Sequence, residues 1–474
     1  MTKFQGTLLL LAAGMLSGCS LAPLYVRPDA PVADAYVGIT ADTAAGTMVA
    51  AETGWREFFP DQRLQALITA ALANNRDLRT AALRIDEARA LYNVQSADLL
   101  PNLNGTASGA RARTPGALSV TGKPAIGSSY QVGFSLASFE LDFFGRVRSL
   151  NDAALAQYLA TAEAKQSVQI SLVAEVAKAY LAERGFAEQL ILAQQTLAGR
   201  QRAYELSQQR FDVGASSALD LRLSETLVQT ARVAQLTLQR QRAQSANALT
   251  LLVGRTALVD LPAAPLLSAE NIITTIAAGV PSDLLMRRPD IRAAEQRLKS
   301  ANANIGAARA AFFPRISLTA AAGTSSNALS GLFDAGSGSW SFAPQLVLPI
   351  FDAGRNRSNL TVAQVRTDIA VADYEKTIQT AFREVADALV ARSSLEEQVV
   401  AQQAVVAAQT VRLQLATQRF DNGIASALDV VDAQRDLFTA EQSLVQTRLL
   451  RLTNAVDLYR SLGGGLTETG KPAG

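Results

Sequence analysis

Histidine is absent from this 474-residue chain, and the only cysteine is Cys19. Without imidazole there can be no His-based triad, histidine zinc site or imidazole proton shuttle. A single thiol rules out an internal disulfide and a thiolate metal cluster. Aromatic residues make up 6% and charged residues 18%, and a net charge of +2 leaves no electrostatic footprint for nucleic acid or an acidic substrate. Neither a Walker loop nor a GxGxxG turn occurs. Carboxylate or lysine chemistry stays open, but nothing argues for it, so no catalytic residue, cofactor or metal ligand is expected. Much of the apolar content is alanine, which suits long, closely packed helices better than a large globular core.

What the chain does contain, it contains twice. RFDVGASSALD at Arg210–Asp220 returns as RFDNGIASALD at Arg419–Asp429, each copy between long proline-free runs rich in Ala, Gln and Leu. Gly214 and Gly423 can take the left-handed conformation that ends a helix. Ser217 and Ser426 then read as N-caps, with Asp220 and Asp429 in the acidic position of a capping box. Each copy is the tight tip of a helical hairpin. Either a duplicated hairpin simply needs a turn, or the two tips present one docking surface to a partner.

Around the tips the order of segments also repeats. Residues 1–18 form a secretory signal: Lys3, the apolar run Leu8–Ala13, then Leu16-Ser17-Gly18 ahead of Cys19. LSGC resembles a bacterial lipobox, in which the cysteine is lipidated and becomes the mature N-terminus; Ser20 after it implies the outer membrane. An acyl chain adds membrane affinity of about 0.8 kcal/mol per buried CH2. Residues 19–60 read as an extended, proline-containing arm. Repeat 1 (61–254) opens with a helix from Gln62 to Leu99, stopped by Pro101. A β-hairpin follows, whose second strand alternates through Tyr130, Val132, Phe134 and Leu136 and then shifts phase to Phe139, Leu141 and Phe143, as at a bulge. A helix over Arg146–Arg210 would be about 97 Å long; after the tip, Ala218–Val253 returns. Residues 255–282 are a linker. Repeat 2 (283–463) has the same order, with Asp290 at the place of Asp77 and Pro314 at that of Pro101, a hairpin ending in Trp340, Phe342, Leu346, Leu348 and Ile350, a long run Arg355–Arg419, and a return helix Ala427–Leu462. That last helix has Val431, Phe438, Val445, Leu452 and Tyr459 every seven residues, a stripe for coiled packing rather than a cofactor box. The tail, 464–474, is expected to be flexible.

The strands are long enough for a bilayer, where about 9–11 residues span. Four strands, however, leave open edges that lipid cannot satisfy, and closure takes about eight or more. The hairpins must therefore come from several chains; a dimer gives eight strands, a trimer twelve.

The LSGC segment, the block RRPDIRAAEQRLKSANANIGAARAAFFPRISL, the two RFDxG tips, VVDAQRDLF and NAVDLYRSLGGG together resemble the outer membrane factor family, the TolC-like exit ducts of tripartite efflux pumps, in its lipoprotein branch. The resemblance covers nearly the whole mature chain. It implies an α/β membrane channel: a homotrimer with a twelve-stranded outer-membrane β-barrel, four strands per chain, continuous with a coiled α-helical tunnel in the periplasm. It implies a periplasmic adaptor protein and an inner-membrane transporter of the RND class as partners, and outer-membrane lipid through acylated Cys19. It further implies a gate near the tips, with Leu428 and Asp432 at the constriction, Arg419 tying closed helices together, and Phe420 where a tyrosine is often found. A ring of Asp432 carboxylates would attract cations; a solvated helix face is the plainer account of that residue. Gly214, Ala215, Ser216, Gly423, Ile424 and Ala425 are the expected adaptor contacts. The alternatives are an exit duct for type I protein secretion, or a lipid-anchored coiled-coil scaffold without a pore; an enzyme is more remote.

Overall fold

The structure, a computed structural model, describes residues 20–33, 48–120, 122–255, 261–267, 272–273, 276–277 and 281–469. The signal segment and Cys19 lie outside the described residues. In chain order the elements are β1 (Met48–Val49), α1 (Trp55–Phe58), α2 (Gln62–Asn74), α3 (Arg76–Ala97), β2 (Leu103–Thr114), β3 (Ala125–Leu141), α4 (Arg146–Asp212), α5 (Ala218–Val253), β4 (Ile276–Ala277), α6 (Pro281–Arg287), α7 (Pro289–Ala310), β5 (Arg315–Ser326), β6 (Gly338–Val347), α8 (Arg355–Asp421) and α9 (Ala427–Ser461). The two long helices have 67 residues each, two longer than the proline-free runs alone predicted. Among the described residues no helix is long and apolar enough to cross a membrane.

One expected helix is in fact two. The 62–99 pattern breaks at Asn75, whose backbone is extended (ψ 134°) and whose N–H closes α2 on Ala71. Its Oδ1 accepts from the Leu78 N–H (2.9 Å), starting α3, while its amide donates to the Leu252 carbonyl (2.8 Å). The backbone thus closes α2, while the side chain caps the start of α3 and satisfies a carbonyl at the end of α5, which makes the break stable. Repeat 2 breaks at the equivalent place, Arg288, between α6 and α7, and there Pro289 disfavours continuation of α6.

The chain divides into two compact units: 1–29, 84–162 and 293–374 in one, 30–83, 163–292 and 375–474 in the other. The first holds the sheet, all antiparallel in the order β2-β3-β5-β6. Its register aligns apolar side chains on one face: Phe134 opposite Ala322 and Ala322 opposite Trp340, then Leu136 opposite Ala320 and Ala320 opposite Phe342. The predicted phase shift is a bulge between Leu136 and Phe139, with Ser138 at φ 50°. It restores the apolar match, since Phe139 pairs with Leu318 and Leu141 with Ile316. The last strand stops at Val347, before Leu348 and Ile350. At the sheet's lower end Glu140 binds Arg146 through two bonds (2.8 and 2.7 Å) and Arg315 (2.5 Å), and Phe144 stacks on Phe313 at 4.7 Å.

In the same unit the arm is extended over residues 20–29 but firmly held. Arg27 and Tyr25 converge on Glu295 of α7 (2.8 and 3.2 Å), Lys299 joins at 3.3 Å, and Asn302 and Arg309 donate to the Pro23 and Leu21 carbonyls. Burial opposes the charge on Glu295, but Arg27 and Lys299 more than offset it and hold the carboxyl below its usual range.

The second unit has the larger aromatic core. Phe58 stacks on Tyr459 at 3.9 Å, Phe59 meets both edge-on, and the Tyr459 hydroxyl donates to the Thr53 carbonyl (2.7 Å). Tyr180 donates to Asp61 (2.8 Å), which also caps α2. Burial raises the pKa of both phenols. The later part of the arm is thus core rather than extended chain. The tail, expected to be flexible over 464–474, is docked as far as residue 469, and residues 470–474 lie outside the described residues. Residues 463–469 fold back, with the Thr467 and Glu468 carbonyls accepting from the Trp55 and Arg56 N–H groups and Arg56 paired to Glu468 at 2.6 Å. Glycines give that segment its turns; the docked backbone hydrogen bonds fix it.

Candidate functional site

Both tips close by the same local physics. At the first, Gly214 has φ 75°, the Ala215 N–H bonds the Arg210 carbonyl (2.7 Å) and the Gly214 N–H bonds that of Phe211 (2.9 Å). At the second, Gly423 has φ 71°, Ile424 bonds Arg419 (2.8 Å) and Gly423 bonds Phe420 (2.9 Å). This is a Schellman closure, which uses a left-handed residue to satisfy the last carbonyls. Capping boxes then start the return helices: Asp220 N–H to Ser217 Oγ (3.1 Å) and Asp429 N–H to Ser426 Oγ (3.3 Å), each reciprocated by the aspartate.

Of the expected docking residues, Gly214, Ala215, Gly423 and Ile424 are exposed, and Ser216 and Ala425 are half-buried. Two further apolar side chains of the first tip were not among the expected contacts: Val213 is 79% exposed and Leu219 77%, against 68% for the expected Ile424. Their signal was available, since a hydrophobic residue in a tight exposed turn has no core to fill.

Leu428 and Asp432 lie four residues apart at the start of α9 and share a face. Leu428 is exposed; Asp432 is half-buried and not alone. Arg435 pairs with it at 3.0 Å and with Asp436 at 3.1 Å, and Arg412 of α8 pairs with Asp436 at 2.6 Å. Hydrogen bonds from Arg412 and then Arg435 hold the Asp436 carboxyl below its usual range. Arg419 is exposed, its carbonyl taken up in the turn. Phe420 receives a cation: the Arg210 guanidinium lies 5.7 Å over its ring, joining one tip to the other. Higher in the first hairpin, Arg200 is 6% exposed and bonded to the Leu227 carbonyl (3.1 Å), its pKa lowered by burial. No sequence pattern pointed to it.

The tips offer an exposed apolar rim, a compensated charge cluster behind it and rigid capped turns, which suit contact and passage. A family model described as "Outer membrane efflux protein" matches residues 67–255 and 280–464, one segment in each repeat. The chain is 50% identical over 457 residues to the Pseudomonas putida toluene efflux pump outer membrane protein TtgF, covering 95% of each. It is 48% identical over 464 residues to the outer membrane protein OprJ of Pseudomonas aeruginosa, covering 98% of this chain and 96% of that one. Among solved structures, the open state of the Neisseria gonorrhoeae MtrE outer membrane channel aligns with a TM-score of 0.87 at 40% identity, over 96% of this chain and all of that one.

Proposed function

Because this chain belongs to the outer membrane efflux protein family, and is the outer-membrane exit duct of an efflux system, we propose that it works as a passive, gated homotrimer that catalyses no reaction. The observation that carries this is the sheet with two open edges, β2 and β6. Unpaired strand edges are untenable in lipid, and three copies joined edge to edge give one closed barrel of twelve strands. The aligned row of Phe134, Trp340, Phe342 and their neighbours supplies the lipid face. In this reading Cys19 carries the lipid anchor after removal of residues 1–18, residues 19–60 are the arm, the repeats 61–254 and 283–463 are joined by the linker 255–282, and the tail is 464–474. A periplasmic adaptor docks on the tips at Gly214, Ala215, Ser216, Gly423, Ile424 and Ala425, with Val213 and Leu219 widening the apolar contact. An inner-membrane transporter of the RND class supplies the energy. Small organic toxicants of the kind named for the toluene pump relative are a fitting cargo, because a wide duct only has to pass what the transporter delivers. The gate is Leu428, Asp432, Arg419 and Phe420.

Planar-bilayer recording of the purified lipoprotein tests this. The native trimer should be mostly closed, and Arg419→Ala and Asp432→Ala should open more often. A native channel that conducts freely and is unchanged by either substitution moves the gate elsewhere. Absence of conductance from folded trimer in every form overturns the duct.

A further inference from the structure

Asp432 was expected to make the constriction negative, but the charge around it sums to nothing. Arg435 lies one helical turn on, within 3.0 Å of Asp432 and 3.1 Å of Asp436, and Arg412 reaches across from α8 to Asp436 at 2.6 Å. Two carboxylates and two guanidinium groups form one chain of contacts, ordered Asp432, Arg435, Asp436, Arg412. The first hairpin has none of it. At the positions aligned by the two RFDxG tips it carries Leu223 for Asp432, Thr226 for Arg435, Leu227 for Asp436 and Ala203 for Arg412, while Leu219, Arg210 and Phe211 match Leu428, Arg419 and Phe420. The turn needs no charge in this place, since the first copy builds the same closure and capping box without it. All four charges are therefore present for something other than folding the tip.

The geometry divides their work. Arg412–Asp436 is the one contact of the four residues that crosses between helices, so it clips α8 to α9. Arg435 is the only member that touches both carboxylates. Its side chain is 60% exposed, so the bridge adds little to stability. Its position, however, puts a positive charge beside every negative charge of the ring. A fixed charge at about 7 Å in water shifts local ion concentration by about threefold. That is large for a pore and negligible for a fold.

We propose that Arg435 is the selectivity-determining residue of the constriction: it neutralises Asp432 so that the closed and opening gate discriminates little between cations and anions, which leaves the duct free to pass cargo of either sign. This rests on the placement of Asp432 at the constriction, and the test separates the two. Reversal potentials would be measured in a KCl gradient across bilayers holding many purified full-length trimers, as wild type, Arg435→Gln, Asp432→Asn and the double variant. Circular dichroism and gel-resolved trimer confirm that each form is folded. Arg435→Gln should raise the potassium-to-chloride permeability ratio about threefold or more, Asp432→Asn should lower it by a similar factor, and the double variant should return near wild type. If Asp432→Asn shifts the ratio and Arg435→Gln does not, the compensation is wrong while the gate stands. If neither substitution shifts it, Asp432 is not at the constriction and the proposal falls with that placement. Current absent from all four forms overturns the duct reading and this inference together.

Discussion

The two helical hairpins, α4–α5 and α8–α9, share turn and caps, yet behind the first tip stands the pair Arg222–Glu225 within α5, and behind the second a four-member chain of charges that crosses from α8 to α9. The first holds its buried Arg200 against a backbone carbonyl and presents Val213 and Leu219 to solvent. The second joins its helices through Arg412–Asp436 and leads on to Asp432. Identical backbone engineering with different side chains separates structure from task. The caps and turns that both copies keep close the tip; the charge chain that the second copy alone has is not needed for that closure. Arg210 over Phe420 then ties the plain hairpin to the charged one.

The largest expected effect distinguishes the copies by gating. Asp432→Ala or Arg419→Ala should raise open time about tenfold, since three symmetric copies of an exposed interaction worth about 0.5 kcal/mol add to a tenfold change. Leu223→Ala and Arg210→Ala, their counterparts, should stay within about twofold in the same recordings. Equal responses would break the distinction. Next in size, Gly214→Val and Gly423→Val should each destabilise by about 1–2 kcal/mol, because a β-branched residue is forced to positive φ. Thermal unfolding that fell for one and not the other would show that the turns are not equivalent. Ser217→Ala and Ser426→Ala should cost about 1 kcal/mol each through the lost caps, read in the same melts.

Smaller still is the contact between tips. Phe420→Leu should weaken it by about 0.5–1 kcal/mol, while Phe420→Tyr keeps it; a double-mutant cycle with Arg210→Ala isolates the pair. The smallest effect is on acid. The Asp436 carboxyl is held low by Arg412 and Arg435, so its contribution is present above the ordinary aspartate range and is lost as pH falls through the lowered value. Acidification below that range should loosen the second hairpin, seen as faster amide exchange in the first turns of α9 with the start of α5 unchanged. In Asp436→Asn that pH dependence should vanish.

Most of the helical frame was legible because its rules are local. A proline-free run bounded by a glycine and a Ser-x-x-Asp cap specifies where α4, α5, α8 and α9 begin and end within a turn or less. The bulge in β3 was legible for the same reason: one residue out of step in a period of two exposes itself. Asn75 was missed because an asparagine inside a helical pattern has no special mark until its amide finds Leu252. The docked tail looked flexible because glycine reports freedom, whereas the bonds from Trp55 and Arg56 that remove it come from the far end of the chain. At the tips, Leu428 and Asp432 came from the family resemblance, and Arg435, three residues from Asp432, stood within reach of the same segment.

By itself, then, the sequence determined the repeated order of elements, the chemistry of the turns and the apolar alternation of β3 and β6. These follow from interactions that span at most a turn of helix or two positions of strand. Only the tertiary structure decided that Arg412 meets Asp436, that Glu295 takes Arg27 and Tyr25, that Tyr459 stacks on Phe58, and that one tip's arginine lies over the other's phenylalanine. Those pairs join residues distant in sequence, so their formation depends on helix packing and register summed over many weak contacts, and no short stretch of sequence carries that sum.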